Sequence, residues 1–151
     1  MISDEFVDTL RSYVEFHPVC PEVEIGLGIP RDPVRVVDID GDIRLIQPAT
    51  GRDLTETMRD FANSFLDAVG EVDGFILKSR SPSCGIKDVK IYSGTKNDSI
   101  ISEKSSGFFG KAVIEKFPYL ALEDEECLTN IRIRRDFMAK IVALGSSRCS
   151  L

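Results

Sequence analysis

The sequence predicts an α/β domain with three layers, a mostly parallel sheet and a small β-hairpin excursion. Three observations point there. Short apolar runs such as Gly74-Phe75-Ile76-Leu77 alternate with amphipathic stretches long enough to serve as crossover helices, which favours parallel strands. Asp40-Gly41 separates two runs rich in Val, Ile and Leu, a hairpin signal. The run at Gly74 ends in a polar loop that presents one thiol, Lys78-Ser79-Arg80-Ser81-Pro82-Ser83-Cys84-Gly85. Open α/β sheets place their chemistry at such strand ends.

Taken in order, residues 4–14 read as a helix, with Phe6, Leu10 and Tyr13 or Val14 on one face and Ser3 or Asp4 as cap. Residues 15–19 read as a strand entering Cys20-Pro21-Glu22. Residues 23–33 hold Gly26, Gly28, Pro30 and Pro33, the makings of a shaped loop. Residues 34–39 and 43–47 form the hairpin. Residues 53–69 carry the clearest helical stripe, Leu54, Met58, Phe61, Ala62, Phe65, Leu66 and Val69, and Gly70 ends it. Packing against a sheet accounts for that stripe without a cofactor.

Residues 74–77 read as the central strand and 89–92 as a short extended piece. Residues 93–106, rich in Gly, Ser, Lys and Asn, read as a mobile loop or lid. Residues 107–117 read as a helix with Phe108, Ala112, Val113 and Phe117 inward, and 118–122 as a last strand. The acidic run 123–126 reads as a solvated turn. Residues 131–144 read as a final amphipathic helix, followed by a frayed tail.

A chain of 151 residues suffices for one sizeable core. Its 42% hydrophobic and 29% charged residues are ordinary for a soluble protein. No apolar run is long enough to span a bilayer. The N-terminus has neither the basic nor the apolar region of a signal peptide, so a cytoplasmic location and reduced thiols or metal ligands are expected of the four cysteines. A net charge of −6 argues against a broad nucleic-acid-binding face. It leaves room for local basic patches at Arg31 and Arg35, Lys78 and Arg80, and Arg132, Arg134 and Arg135.

Cys20 and Cys84 both sit beside proline in loops at strand ends, and three readings compete for them. Either is a small buried hydrophobe. One is a nucleophile; the single histidine, His17, lies three residues from Cys20 on the expected strand and would face the other way, so it reads as buried or interfacial. Or the two thiols ligate a metal centre. There is no Cys-x-x-Cys pair, which speaks against a zinc ribbon or a bacterial ferredoxin site. Single cysteines from separate loops can still converge on an iron–sulfur cluster, and three thiolates leave a fourth iron open as a Lewis acid. Such chemistry wants a carboxylate and a hydroxyl nearby. Glu22 and Ser81 are the candidates.

Four segments occur in order: Val19-Cys20-Pro21-Glu22-Val23, Gly26-Leu27-Gly28-Ile29-Pro30-Arg31-Asp32-Pro33, Gly51-Arg52-Asp53-Leu54-Thr55, and Leu77 through Cys84-Gly85. Together they resemble the thiouracil desulfidase family. The resemblance implies a Rossmann-like domain with a four-iron four-sulfur cluster on three cysteines, two of them matching Cys20 and Cys84. The substrate would be a thiolated pyrimidine, thiouracil or 4-thiouridine, the latter within tRNA in one branch. Its sulfur would bind the open iron, water would replace it, and sulfide would leave without net redox change.

By the same resemblance Glu22 and Ser81 take the proton-handling roles, and Arg31, Lys78, Arg80 and Ser83 are candidates for holding the substrate or a phosphate. The family begins with a strand and a Cys-containing loop that supplies the first ligand, and the chain is expected to start past it. Cys127 or Cys149 could supply a third thiolate only by folding back. Residues 1–122 would form the desulfidase-like domain, and 123–151 the start of a truncated second helical domain or a tail. The alternative is an incompetent remnant that binds a nucleotide or partner chain without a cluster. A domain with an exposed sheet edge is expected to pair with a second copy through it.

Overall fold

The computed structural model describes all residues except Met1, Ser3, Asn97, Ser150, Leu151 and the side chain of Cys149. The first helix, α1 (Glu5–Leu10), is capped by the Asp4 carboxylate, which accepts from the N–H groups of Phe6 (2.9 Å) and Val7 (3.3 Å). It is shorter than the predicted 4–14. Residues 15–19 form no strand, a correction with a simple cause: no described strand lies alongside to pair with them. Pro21 opens the short helix α2 (Pro21–Glu24), with its fixed φ suited to a first turn.

The hairpin forms as predicted from β1 (Arg35–Ile39) and β2 (Asp42–Gln47), in the register Arg35↔Ile46 to Ile39↔Asp42. Asp40 (φ 53°) and Gly41 (φ 87°) make its turn. Two consecutive positive φ values match the right-handed strand twist. The short β3 (Arg52–Asp53) pairs with β2. Next come α3 (Thr55–Ala68), β4 (Gly74–Leu77), β5 (Val89–Tyr92), β6 (Ile100–Ser105), α4 (Phe108–Lys116), β7 (Ala121–Asp124), a 3₁₀ turn at Cys127–Thr129 and α5 (Ile131–Cys149).

These strands make a five-stranded sheet in the order β3-β2-β1-β5-β6 and a two-stranded sheet β4-β7. Only β1–β5 and β4–β7 are parallel; β1–β2, β2–β3 and β5–β6 are antiparallel. The mostly parallel sheet is thus corrected to a mixed α/β arrangement. Connection length decides each pair. The chain between β1 and β5 contains α3, and that between β4 and β7 contains α4, long enough for parallel crossovers. The short β1–β2, β2–β3 and β5–β6 links can only turn back.

Three further expectations change. Six residues of the predicted lid are β6, because Ile100 to Ser105 finds β5 beside it. The acidic run is not a solvated turn. Its Asp124 and Glu125 are buried (1% and 7% exposed), held by hydrogen bonds described below. The last helix runs on past residue 144, and Ile133, Phe137, Met138 and Ile141 pack on Ala121, Leu128, Phe6 and Ile76. These residues of α5 pack on the body.

The main core lies between α3, α4 and the sheets. Met58, Ala62 and Leu66 of α3 meet Val36, Leu45, Leu77, Val89, Phe109 and Val113, as the 3.6-residue stripe requires. Thr55, fully buried at the start of α3, accepts the Leu45 N–H on its hydroxyl at 2.8 Å. Thr55→Val keeps the shape but leaves that buried N–H unpaired. It should destabilise the fold by about 1–3 kcal/mol in chemical denaturation.

Candidate active site

The Cys84 loop is held by the amino end of α4. Within the loop, Gly85 N–H reaches Ser81 O (2.8 Å), and the Ser81 hydroxyl accepts from the N–H groups of Cys84 (3.0 Å) and Ser83 (3.3 Å). The loop carbonyls then take the first N–H groups of α4, which lack partners within the helix. Gly107 N–H donates to Gly85 O (2.8 Å), Phe108 N–H to Pro82 O (3.3 Å), and Phe109 N–H to Ser83 O (2.8 Å). A Cβ on Gly107 would lie 2.5 Å from the Ser83 carbonyl, and one on Gly110 2.5 Å from Gly85 O and 2.7 Å from Cys84 O. Only glycine allows this approach.

The second loop starts at Cys20, whose carbonyl accepts the N–H groups of Val23 and Glu24, both at 3.0 Å. α2 thereby aims Glu22 at the first loop. Glu22 Oε1 accepts the Ser83 hydroxyl at 2.8 Å, and Oε2 accepts Arg31 Nε at 2.6 Å. The shaped loop, with positive φ at Gly26 and Gly28 and a cis Ile29–Pro30 bond, brings Arg31 back over α2. There Arg31 Nη1 donates to Gly28 O (3.2 Å) and Nη2 to Cys20 Sγ (3.5 Å). Cys20, Arg31, Glu22 and Ser83 thus form one chain of contacts.

Cys84 stands in the same field. Burial pushes its thiol up to about 12, and the charges of Glu22 and Cys20 add to the rise. The Ser81 hydroxyl and Arg31 act the other way. Burial outweighs both, so Cys84 is a protonated thiol at neutral pH.

The structure gathers Cys20, Glu22, Arg31, Ser81, Ser83 and Cys84 into one site. The two hydroxyls have different partners there. Ser83, not Ser81, meets Glu22, and Ser81 shapes the loop. Lys78 and Arg80 go elsewhere. The Lys78 ammonium pairs with Glu125, which also accepts the Ser79 N–H (2.8 Å) and hydroxyl (3.0 Å). Arg80 pairs with Glu126, and its backbone N–H donates to Asp88 (2.9 Å). Both cations clasp the turn after β7. His17 is exposed, 3.6 Å from Glu15, which corrects the buried reading. Glu125, Gly107 and Gly110 do not stand out in the sequence by any motif named above. The spacing Gly107-Phe108-Phe109-Gly110, two glycines on one helix face, is the signal that could have found the last two.

A four-iron cluster with one open iron takes three thiolates. Cys20 and Cys84 fit two of those positions. The Cys127 sulfur is engaged by the Lys87 ammonium (2.9 Å) and Asp124 Oδ2 (3.4 Å). The Cys149 side chain lies outside the described residues. The described donors therefore do not make a complete three-thiolate set. Glu123, Asp124 and Cys127 have ligand atoms within 4.8 Å of one another, but the Lys87 ammonium already supplies the cation there.

Fold and site together define a small mixed α/β protein that brings two thiols, a carboxylate and two hydroxyls together between two loops. The model of the 2-thiouracil desulfurase family matches residues 1–125, and the chain belongs to that family. It is 36% identical over 83 residues to the uncharacterised protein YbbK of Bacillus subtilis (strain 168), covering 50% of this chain and 54% of that protein. The chain thus spans about half the length of that curated relative. The solved structure of the 4Fe-4S-dependent thiouracil desulfidase TudS shares the fold, with a TM-score of 0.60, 23% identity, and coverage of 89% of this chain and 83% of that one. Among the described residues no helix is long and apolar enough to cross a membrane.

These contacts can be probed by stability. Gly110→Ala should cost about 1–3 kcal/mol by overpacking against the Cys84 loop, measured by denaturant unfolding. A second probe is Glu125. Burial acts to raise its carboxyl, but Lys78 and the Ser79 N–H outweigh that and hold it below the ordinary glutamate value. A carboxyl lowered on folding stabilises at pH above its unfolded value, and that contribution fades as pH falls through the folded one. Between about pH 5 and pH 3 the native chain should lose more unfolding free energy than Glu125→Gln.

Proposed function

We propose that this chain hydrolyses the C–S bond of a thiolated pyrimidine, thiouracil or 4-thiouridine. Water supplies the ring oxygen and sulfide leaves, so C=S plus H₂O becomes C=O plus H₂S, with no net redox change. The observation that carries the reading is Glu22 bridging Arg31 and Ser83 between the two cysteine loops, in a chain of the 2-thiouracil desulfurase family.

The roles divide among the site residues. Glu22 takes and returns a proton, with the Ser83 hydroxyl as its relay. Arg31 fixes the other Glu22 oxygen and so orients the carboxylate. Ser81 holds the Cys84 loop in shape. Cys20 and Cys84 are two of the thiolate ligands of a four-iron four-sulfur cluster, whose third thiolate is not among the described residues at the site. The net charge of −6 favours the free ring or nucleoside over tRNA as substrate. Lys78 and Arg80, already paired with Glu125 and Glu126, bind substrate only by giving up those partners.

The count of two thiols favours a second reading, a cluster-free protein that binds a nucleotide or a partner chain. One experiment separates them. The chain is reconstituted anaerobically with iron and sulfide, its iron is counted, and it is incubated with 2-thiouracil and 4-thiouridine. Expected are bound iron, sulfide release and the oxo-pyrimidine by chromatography. Glu22→Gln and Ser83→Ala should keep the iron and lower kcat by about 100-fold or more. A chain without iron and without product would overturn the proposal in favour of the second reading.

A further inference from the structure

The β1–β2 ladder ends at the pair Arg35↔Ile46. One step beyond, the chain entering β1 runs Asp32-Pro33-Val34, and Pro33 has no N–H with which to extend the ladder. The Gln47 side chain, 4% exposed, carries the connection on: its Nε2 donates to the Asp32 carbonyl at 3.0 Å. A backbone carbonyl only accepts, so the amide must present its donor there. Its Oε1 in turn accepts the Thr50 hydroxyl at 2.7 Å, and the Gln47 carbonyl accepts the Gly51 N–H at 2.9 Å. The turn at residues 47–51 thus holds Gln47, and Gln47 holds the end of the shaped loop at residues 26–33.

We propose that Gln47 is a positioning residue of the site, fixing Arg31 and, through Arg31, the Glu22 carboxylate; the inference rests on the proton-handling role proposed for Glu22. The loop has two anchors. At its near end the Leu27 N–H donates to Glu22 O at 3.1 Å, and Ile25 and Leu27 pack on the main core. At its far end stands the Gln47–Asp32 bond. Between them Gly28, Ile29 and Pro30 are exposed, so the anchors decide where this stretch runs. Arg31 is one residue from the second anchor. Its guanidinium serves three partners at once, Glu22 Oε2 at 2.6 Å, Gly28 O at 3.2 Å and Cys20 Sγ at 3.5 Å. A planar fork with that many partners tolerates little displacement of the backbone that carries it.

The bond positions more than it stabilises. Asp32 is exposed, so water can take the place of the Gln47 amide at its carbonyl. Water does not restore the fixed distance between β2 and Asp32. The strand β2 itself is held by other means, its ladder to β1 and its own Arg44, whose Nε and Nη2 donate to Asp53 at 2.9 and 2.7 Å. Loss of the Gln47 amide therefore loosens Arg31 and spares Arg44. The two guanidinium groups report on positioning and on the integrity of β2 separately.

The test is the nitrogen–proton spectrum of the arginine side chains in the full chain without iron, with Arg31→Lys and Arg44→Lys assigning the two Nε–H signals. Gln47→Met has nearly the same size and no donor. It should speed exchange of the Arg31 Nε–H with water by about tenfold or more and leave that of Arg44 unchanged. Thr50→Val, which deprives the Gln47 oxygen of its donor, should act in the same direction, and Thr50→Ser should match the native chain. In the reconstituted chain Gln47→Met should lower kcat for sulfide release by about tenfold with KM unchanged. A native chain that releases no sulfide counts against the functional reading alone, since the spectrum needs neither iron nor substrate and still decides the position of Arg31. An Arg31 signal indifferent to Gln47→Met, an Arg44 signal that changes as much as that of Arg31, or an active chain whose kcat Gln47→Met leaves unchanged would each overturn the proposal.

Discussion

The docking of the Cys84 loop on the amino end of α4 is the contact on which the site depends. A helix start presents N–H groups without partners inside the helix. α4 has no side-chain cap; its cap residue is Gly107. The carbonyls of Pro82, Ser83 and Gly85 take that place. The exchange works in both directions, because a sharp loop at a strand end also needs donors for its carbonyls. Close approach is the condition, and Gly107 and Gly110 meet it by having no side chain to interpose. Once the loop is fixed, Ser83 is fixed with it, 1% exposed, and its hydroxyl has Glu22 within reach.

Charge then sorts the residues around that contact. The inner group holds two thiols and a carboxylate against one permanent cation, Arg31. The cations at the end of β4 face outward instead and neutralise the acids that follow β7. Glu125 shows what this does for the fold. A buried carboxylate is costly unless its oxygens are satisfied, and here the Lys78 ammonium, the Ser79 N–H and the Ser79 hydroxyl satisfy them. The segment that delivers Cys84 is thus tied at one end to α4 and at the other to the C-terminal segment. That is how Glu125 and Glu126 come to be held against the end of β4.

What could be read from the sequence follows the range of the interactions. The β1–β2 hairpin is encoded in two adjacent residues, Asp40 and Gly41. α3 and α4 follow from apolar spacing, and both were legible. The strand expected at residues 15–19 and the lid expected at 93–106 failed for one reason: strand character is settled by a partner, and the partner lies far away in sequence. The site shows the same division. Cys20, Glu22 and Cys84 stood out by their local motifs. Whether Ser81 or Ser83 faces Glu22 could not, because it depends on how a loop at residue 83 meets a helix at residue 22. Lys78 and Arg80 looked like substrate-binding cations because the acids that take them lie 47 and 46 positions further along.

The same ties bear on where a third thiolate for an iron–sulfur cluster would come from. Cys127 lies in the turn that follows β7. Its N–H donates to Asp124 at 2.7 Å, and its sulfur is shared between Asp124 and Lys87. Asp124 is 1% exposed, and Glu125 beside it holds the end of β4. Bringing Cys127 to Cys20 and Cys84 would strip its N–H and thiol from the buried Asp124 carboxylate, at about 1–3 kcal/mol for each lost partner. It would also part the Cys127 sulfur from the Lys87 ammonium, which lies three residues after Cys84. If the chain holds a cluster on three thiolates, the third comes from a group other than Cys127.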